Sequence, residues 1–391
     1  MTGVNGKGGT LLSFGINRFD EMLAKGNVWY VRHYEAYFQR VYVVYLTGLS
    51  SRDITDGTTT LVSLGKRNTF LSLLFAPISL YIFAKRVRPT NYLTADLVFS
   101  WWTACLLRIL FRARIILMPV CMPELIYNIS GKSLSGMPIA LERLFTAWSF
   151  RCAATVLTGH GFGGFVNWLS SHPLSKRKLV VVDTIVDSLP TEGFLNRLDQ
   201  VNAGGHTIGA AHEPVFEIVY VGRLHREKLV GDLIKMMAVI AKSSGARRQI
   251  MLTLIGEGPE QSFLEELASQ LEVQGAVKFI GVIPNHQLPD YLCKAKAFVS
   301  PLTGTSLREA ALCGLPIVAY NMDWIEGLFK HEETALLVSP GDYEGLAQQV
   351  VRLSTDEKLC KQLSANVKDL AWRLWTPRGV CESLQQAFKG N

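Results

Sequence analysis

Two cations and one carboxylate in the second half of the chain could line one site for a ligand that carries a diphosphate. Arg223 and Lys228 follow the apolar run FEIVYV, and two cations directly after a strand can bind the two phosphates. Glu309 stands one turn into a helix that the small-residue turn TGTS introduces. The free N–H groups at such a helix start, with the positive end of the helix dipole, favour a phosphate. The sequence therefore predicts a phosphate site assembled from separate loops.

The same helix start allows a second interpretation of Glu309. The segment Ser306-Leu307-Arg308-Glu309 fits a capping box, in which the glutamate accepts a hydrogen bond from the backbone N–H of the cap residue. The segment alone thus leaves helix capping and ligand binding both open, and Glu309 can serve both.

Composition limits the class of protein. The 391 residues are sufficient for two domains, and the formal net charge of +7 favours acidic partners such as phosphate groups, anionic lipid or nucleic acid. No basic run interleaved with aromatic residues indicates nucleic acid, so we expect no nucleic-acid partner. Seven scattered cysteines without metal-ligand spacing predict buried thiols in a reducing cytoplasm and no metal site. The first ten residues lack an apolar signal core, so we expect no export.

Alternating apolar runs and helical patterns in both halves predict two domains with parallel sheets. Residues 186–214 read as a loop-like linker between them. Glycines follow several predicted strands, where they allow close approach of a ligand: Gly15, Gly222, Gly256 and Gly281. His160 lies in the glycine-rich turn 158–164 after another strand and could contact an acceptor. For Gly15 and His160 a plain turn and a solvated turn histidine remain the alternatives.

The segment 69–85 is almost wholly apolar, contains Pro77, and is followed by Lys85, Arg86 and Arg88. It fits a buried crossover helix, or a helix that lies against an anionic membrane. A true membrane span is the third alternative, although 17 residues are short for one. A second very apolar helix is predicted over 99–111, with Trp101 and Trp102.

The C-terminal half resembles glycosyltransferase family 4, the retaining GT-B enzymes that use nucleotide sugars. The resemblance covers residues 216–345 and is carried by the segments YVGRLHREK, LTLIGEGPEQSFLEEL, VKFIGVIPNHQLPDYL and SLREAALCGLPIVAY. It implies an α/β GT-B fold of two Rossmann-like, doubly wound parallel-sheet domains that face a central cleft. The domains are then an N-terminal acceptor-binding domain (1–205), a C-terminal nucleotide-sugar-binding domain (206–376) and a final helix (377–391) that crosses back.

The resemblance also implies roles for particular residues. Arg223 and Lys228 match the family's pair that holds the donor diphosphate, and Glu309 matches the second glutamate of the E-x7-E motif, which binds the nucleotide ribose. The turn 281–284 is similar to the one that lines the base. The remaining implied donor-binding positions are Gly222, Gly256, Gly281, Gly304, Thr305, Ser306 and Leu307. On the acceptor side the candidates are Gly15, Glu124 and His160.

The chain departs from the family pattern in two places. The family's N-domain histidine after a strand is not evident, and the local sequence MPVCMPEL offers Glu124 and Cys121 instead. Eight residues before Glu309 stands Pro301, so the first glutamate of the motif is missing and Gly304 or Thr305 takes its space. We therefore keep two hypotheses. The first is a metal-independent glycosyltransferase without a cofactor, with a lipid-linked glycan or surface polysaccharide as acceptor, cytoplasmic or peripheral at the inner membrane face through 69–88. The second is a non-catalytic nucleotide-sugar-binding or scaffold protein; an epimerase is a more distant third.

Overall fold

A computed structural model describes most of the chain. The described residues are 8–15, 34–35, 37–45, 53–64, 69–94, 101–118, 138–159, 179–182, 190, 192–203, 215–243, 248–302, 304–322, 325 and 328–376. The chain divides into two compact units. Unit 1 comprises Met1–His160, Gly164–Asp187 and Val380–Asn391, and unit 2 comprises Gly161–Gly163 and Ser188–Gly379. The predicted final helix over 377–391 lies outside the described residues.

Unit 1 contains an eight-stranded sheet in the order β3-β4-β2-β1-β5-β6-β7-β8. Its pairings are parallel except for the antiparallel pair β3–β4. The strands are β1 (Gly8–Gly15), β2 (Phe38–Tyr45), β3 (Ile54–Asp56), β4 (Thr59–Ser63), β5 (Asn91–Thr94), β6 (Arg114–Leu117), β7 (Thr155–Gly159) and β8 (Leu179–Val182).

Within the described residues, three helices connect strands of this sheet: α1 (Thr69–Val87), α2 (Trp101–Phe111) and α3 (Ile139–Cys152). The connections β4–α1–β5, β5–α2–β6 and β6–α3–β7 all step in the same direction across the sheet. Because such crossovers are right-handed, the three helices lie on one face. The segment 69–85 is therefore a crossover helix, but the prediction that it is buried is wrong, because Ile78, Tyr81 and Ile82 are exposed. None of the described helices is both long and apolar enough to span a bilayer.

Unit 2 contains a fully parallel six-stranded sheet in the order β11-β10-β9-β12-β13-β14. The strands are β9 (Val215–Val221), β10 (Gln249–Ile255), β11 (Val277–Gly281), β12 (Ala297–Ser300), β13 (Ile317–Tyr320) and β14 (Leu336–Val338). The first strand is central, two strands extend to one side and three to the other. This is the Rossmann order, in which the direction of winding reverses between β9 and β12.

Helices cover both faces of this sheet. They are α4 (Glu192–Ala203), α5 (Val230–Lys242), α6 (Gln261–Gln270), α7 (Leu288–Leu292), α8 (Thr305–Leu312), α9 (Tyr343–Thr355) and α10 (Glu357–Leu374). Ala297 and Val299 of β12 pack into the core beside α5 and α9, whereas Phe298 packs into the core beside α4 and α8. Burial on both sides explains why these strands read as continuous apolar runs.

The prediction of a loop-like linker over 186–214 is wrong for residues 192–203, which form α4. Phe194, Leu198 and Val201 recur at helical spacing and are buried in the core of unit 2 with α7 and α8. The main segment of unit 2 accordingly begins at Ser188, before the predicted domain boundary at 205. The binding roles assigned to the two domains stay predictions.

Truncating Phe194 tests whether α4 is part of this core. Phe194→Ala should lower the free energy of unfolding of unit 2 by about 3–5 kcal/mol, because a fully buried aromatic ring is replaced by a cavity. Denaturant unfolding of the full chain measures this loss. The exposed Asn202→Ala on the same helix is the control, and equal stability of the two variants would contradict the packing of α4.

Candidate functional site

The winding reversal of unit 2 brings loops from two halves of the sheet to one edge. The loop after β9 and the turn after β12 leave the carboxyl ends of adjacent strands in opposite directions. A crevice opens at such a point in open α/β sheets, and ligands bind there. Arg223 follows β9, and Glu309 lies on α8 after β12, so both predicted elements belong to this edge.

Glycines let the loops after β9 and β10 run side by side. Gly222 N–H donates to the Ile255 carbonyl at 3.0 Å, and Gly256 N–H donates to the Gly281 carbonyl at 2.8 Å. A Cβ on Gly256 would stand 2.0 Å from the Gly222 carbonyl oxygen, and the φ of Gly256 is +137°. These backbone contacts join the ends of β9, β10 and β11, so three of the predicted glycines are in one hydrogen-bonded edge.

The start of α8 is tied to the same edge through Ser306. Its hydroxyl donates to the Val221 carbonyl at 2.6 Å, across the point where the winding reverses. The residue that precedes the helix is Gly304, whose backbone is extended and which makes no side-chain cap. The capping-box interpretation is therefore wrong, because Ser306 lies inside the first turn of α8 and its hydroxyl donates to the carbonyl of Val221 in β9. The N–H groups of Thr305 and Ser306 have no acceptor within the helix, whereas Leu307 N–H donates to the Gly304 carbonyl at 3.3 Å.

Glu309 is the buried carboxylate of this edge, with 6% of the residue exposed. Its Oε1 accepts a hydrogen bond at 2.6 Å from Asn285 Nδ2, which follows the turn after β11. Burial raises the pKa of Glu309, while the Asn285 amide and then the nearby Arg308 act in the opposite direction. A carboxylate kept this dry and fixed from a second loop is suited to accept hydrogen bonds from ligand hydroxyls.

Both predicted cations, Arg223 and Lys228, lie in the loop between β9 and α5. The Arg223 side chain is 69% exposed, and its Nη2 lies 2.7 Å from Glu227 Oε1. Lys228 ends a short 3-10 turn, and Leu229 after it has a left-handed φ of 54°. In the described part of the chain neither cation bonds to Glu309.

The other predicted site residues divide as follows. Thr305 is exposed at the start of α8, whereas Leu307 is buried in the core. Gly15 is the last residue of β1, paired with Tyr45 in unit 1. Glu124 and His160 lie outside the described residues.

Sequence reasoning missed Asn285 and Glu227, the partners of two predicted residues. The sequence contains a signal for Glu227, because an acid four residues after Arg223 has a common ion-pair spacing. Asn285 directly follows the predicted base-lining turn 281–284, but no periodicity relates it to Glu309, 24 residues away.

The described residues contain no group of three or more His, Cys, Asp or Glu side chains that could hold a metal ion. Metal independence and the absence of a cofactor remain predictions.

Comparison with known proteins matches part of the second unit to a protein family. Residues 208–370 match the family model of the glycosyl transferases group 1. The lipopolysaccharide core biosynthesis glycosyltransferase LpsD of Rhizobium meliloti is 28% identical over 178 residues, which are 44% of this chain and 49% of that protein. The chain covers less than half the length of the curated relatives that it matches. The match to the glycosyl transferases group 1 model thus lies wholly within unit 2.

Solved structures extend the likeness to nearly the whole chain. Sucrose-phosphate synthase from Thermosynechococcus elongatus is 17% identical, covers 97% of this chain and 98% of its own, and superposes with a TM-score of 0.69. Anabaena HepE in complex with UDP and glucose is 14% identical, covers 98% and 100%, and has a TM-score of 0.65. The predicted GT-B class of two Rossmann-like α/β domains is confirmed.

Replacing Glu309 by Gln should change how stability depends on pH. Because burial raises the pKa of Glu309, the folded state holds this proton more tightly than the unfolded state does. The free energy of unfolding should therefore fall as pH rises from the ordinary glutamate range through the raised pKa. Glu309→Gln should lack this fall, and the exposed Glu266→Gln should keep it. Parallel pH profiles for the wild type and Glu309→Gln would contradict the burial argument.

Ser306→Ala tests the tie between α8 and β9. Loss of the hydroxyl leaves the Val221 carbonyl without this donor and should cost about 1 kcal/mol in the free energy of unfolding. The neighbouring exposed Thr305→Ala is the control. If both variants unfold at the same denaturant concentration, the hydrogen bond does not contribute to stability.

Proposed function

We propose that the protein is a glycosyltransferase that moves a sugar from a nucleotide-diphosphate sugar to an acceptor hydroxyl. The observation that supports this most is the convergence of a buried carboxylate and a helix start at the winding reversal of unit 2. Asn285 fixes Glu309, and the Val221 carbonyl fixes Ser306, at the edge where Rossmann sheets bind nucleotides. The group 1 match over 208–370 supports the same reaction class.

In this proposal the donor lies along the edge of unit 2. The ribose hydroxyls donate to Glu309, and the diphosphate meets the first N–H groups of α8, which need an acceptor. Gly256 allows the neighbouring loops to approach closely, since a side chain on Gly256 would collide with the Gly222 carbonyl, and the φ of +82° at Gly281 favours glycine. The dipole of α8 and the two cations of the β9 loop supply positive charge for the phosphates.

The reaction breaks the bond between the anomeric carbon and the diphosphate oxygen while the acceptor oxygen forms a bond to the same carbon. The acceptor proton passes to a phosphate oxygen of the departing diphosphate, so attack occurs on the same face and the configuration is retained. Arg223, Lys228 and the N-terminus of α8 stabilise the negative charge that grows on the leaving group. One well-placed donor of this kind is worth about 3–4 kcal/mol in the transition state.

The ion pair with Glu227 does not remove Arg223 from this role. Both side chains are more than half exposed, and exposed pairs contribute only about 0–1 kcal/mol. A guanidinium has five N–H donors, and Glu227 engages Nη2. The remaining donors can reach a phosphate, and Glu227 then sets the orientation of the side chain.

For the acceptor we propose a lipid-linked glycan or growing surface polysaccharide at the cytoplasmic face of the membrane. The relation of unit 2 to a lipopolysaccharide core enzyme supports this class. Binding of the acceptor by unit 1 and of the donor by unit 2 is part of the same proposal.

A non-catalytic nucleotide-sugar-binding protein is the second candidate, and Pro301 favours it. Pro301 is buried directly after β12, where the first glutamate of the E-x7-E motif would stand. A proline side chain has no hydrogen-bonding group, so contacts to the donor sugar fall to Gly304 and Thr305.

Turnover separates the two candidates. Transfer or hydrolysis is measured over a panel of nucleotide sugars with a mixture of glycan acceptors, and binding is measured as the thermal shift with nucleoside diphosphates. The enzyme should both bind and turn over a donor. Stabilisation by UDP or GDP without turnover would favour the binding protein. Absence of both stabilisation and turnover would contradict both candidates.

Alanine replacement of the cations tests their catalytic role. Arg223→Ala and Lys228→Ala should each lower kcat by about 100- to 1000-fold, the effect of removing one donor to a developing oxyanion. Arg226 is exposed in the same 3-10 turn as Lys228, so Arg226→Ala controls for a general loss of positive charge. This variant should change kcat by less than about twofold. Unchanged transfer in the Arg223 and Lys228 variants would overturn the assignment.

A further inference from the structure

Unit 1 exposes large apolar side chains on helices α1, α2 and α3. They are Ile78, Tyr81 and Ile82 of α1, Ile109 and Leu110 of α2, and Leu141, Leu144 and Trp148 of α3. The exposed fraction is 63% for Ile82 and 75% for Ile109, so these side chains are too exposed to belong to the hydrophobic core. Contiguous exposed apolar surface of this kind marks an interaction site.

Each helix presents these residues on the side away from the sheet. In α1, Ile78, Tyr81 and Ile82 share one side, while Leu80 and Phe83 are buried. In α3, Leu141, Leu144 and Trp148 follow the spacing of one helical stripe, while Ser149 and Phe150 are buried. The apolar surface is therefore the outer face of the helix layer.

Contacts between neighbouring helices make this face continuous. The rings of Tyr81 in α1 and Phe111 in α2 have centroids 6.2 Å apart. The sulfur atoms of Cys105 in α2 and Cys152 in α3 are 2.9 Å apart, and Arg108 donates to the Cys152 carbonyl. We call the exposed side chains of α1, α2 and α3 the outer helix face.

The charges on the outer helix face have one sign. Lys85, Arg86, Arg88, Arg108, Arg112, Arg143 and Arg151 are all exposed on these helices or directly after them. Glu142 is the only acidic residue within the three helices. A second copy of the chain would bring like charges together, and an anionic surface would neutralise them.

We propose that the outer helix face docks on an anionic lipid bilayer. The isoleucine, leucine and tryptophan side chains enter the interface between headgroups and acyl chains, and the surrounding arginine and lysine side chains bind lipid phosphates. Long basic side chains suit this position because their aliphatic stems cover apolar surface while the charge reaches the headgroups. The inference rests on unit 1 alone and does not depend on the donor site.

Vesicle co-sedimentation of the full chain tests the docking. The protein should bind vesicles of phosphatidylcholine mixed with phosphatidylglycerol, and bind phosphatidylcholine alone much more weakly. Ile78→Ser with Ile82→Ser should weaken binding about tenfold or more, because two apolar side chains no longer leave water. Lys85→Ala with Arg86→Ala should weaken it roughly 25-fold, about fivefold for each charge, and raised salt should act in the same direction.

Phe263→Ser is the matched control, because Phe263 is exposed on α6 of unit 2. This variant should bind anionic vesicles like the wild type, and all variants should unfold like the wild type because the replaced side chains are exposed. Equal binding to neutral and anionic vesicles, or equal loss in Phe263→Ser, would overturn the proposal. Self-association that Ile78→Ser with Ile82→Ser abolishes, without any vesicle binding, would assign the face to a second copy instead.

Discussion

The hydrogen bond from Asn285 to Glu309 holds together the edge of unit 2 on which the proposed chemistry depends. A carboxylate with 6% of its residue exposed is costly to keep charged, and a single amide offsets only part of that cost. Asn285 follows β11, and Glu309 lies on the helix that follows β12. The bond therefore depends on the strand order that brings the carboxyl ends of β11, β9 and β12 to one edge of the sheet. The chemistry of the site therefore follows from topology before any side chain is chosen.

The backbone of this edge restricts what can be changed in it. The Gly256 position leaves no space for a Cβ against the Gly222 carbonyl, and Ser306 uses its hydroxyl on the Val221 carbonyl instead of on its own helix. The N-cap of α8 is Gly304, which has no side chain to cap the helix, so the start of α8 lacks a side-chain capping hydrogen bond while Ser306 stabilises the edge. Local rules that are broken without local gain tend to coincide with functional sites. The raised pKa of Glu309 at the same edge has the same character.

The parts of this fold that the sequence predicts are those governed by short-range patterns. Strands β9, β10 and β12 are apolar runs bounded by glycine or proline, because both faces of the sheet are buried. Helix α4 was not predicted from the sequence, although Phe194, Leu198 and Val201 have helical spacing, because Gly204, Gly205 and Pro214 indicated a loop for the whole segment. Asn285 could not be paired with Glu309, because that contact is set by the packing of the loops.

The distribution of charge separates the two surfaces to which we assign function. Seven exposed cations lie on α1, α2 and α3 or directly after them, and Glu142 is the only acidic residue in the sequence of these helices. The basic balance that favours acidic partners belongs to unit 1, which has 21 Lys and Arg against 11 Asp and Glu, whereas unit 2 has 19 against 22. Positive potential for a diphosphate in unit 2 must then come from a few groups held at short range, namely Arg223, Lys228 and the start of α8. Such groups act through geometry, whereas the outer helix face acts through the number of its charges, which is the arrangement that a discrete ligand and an extended anionic surface respectively require.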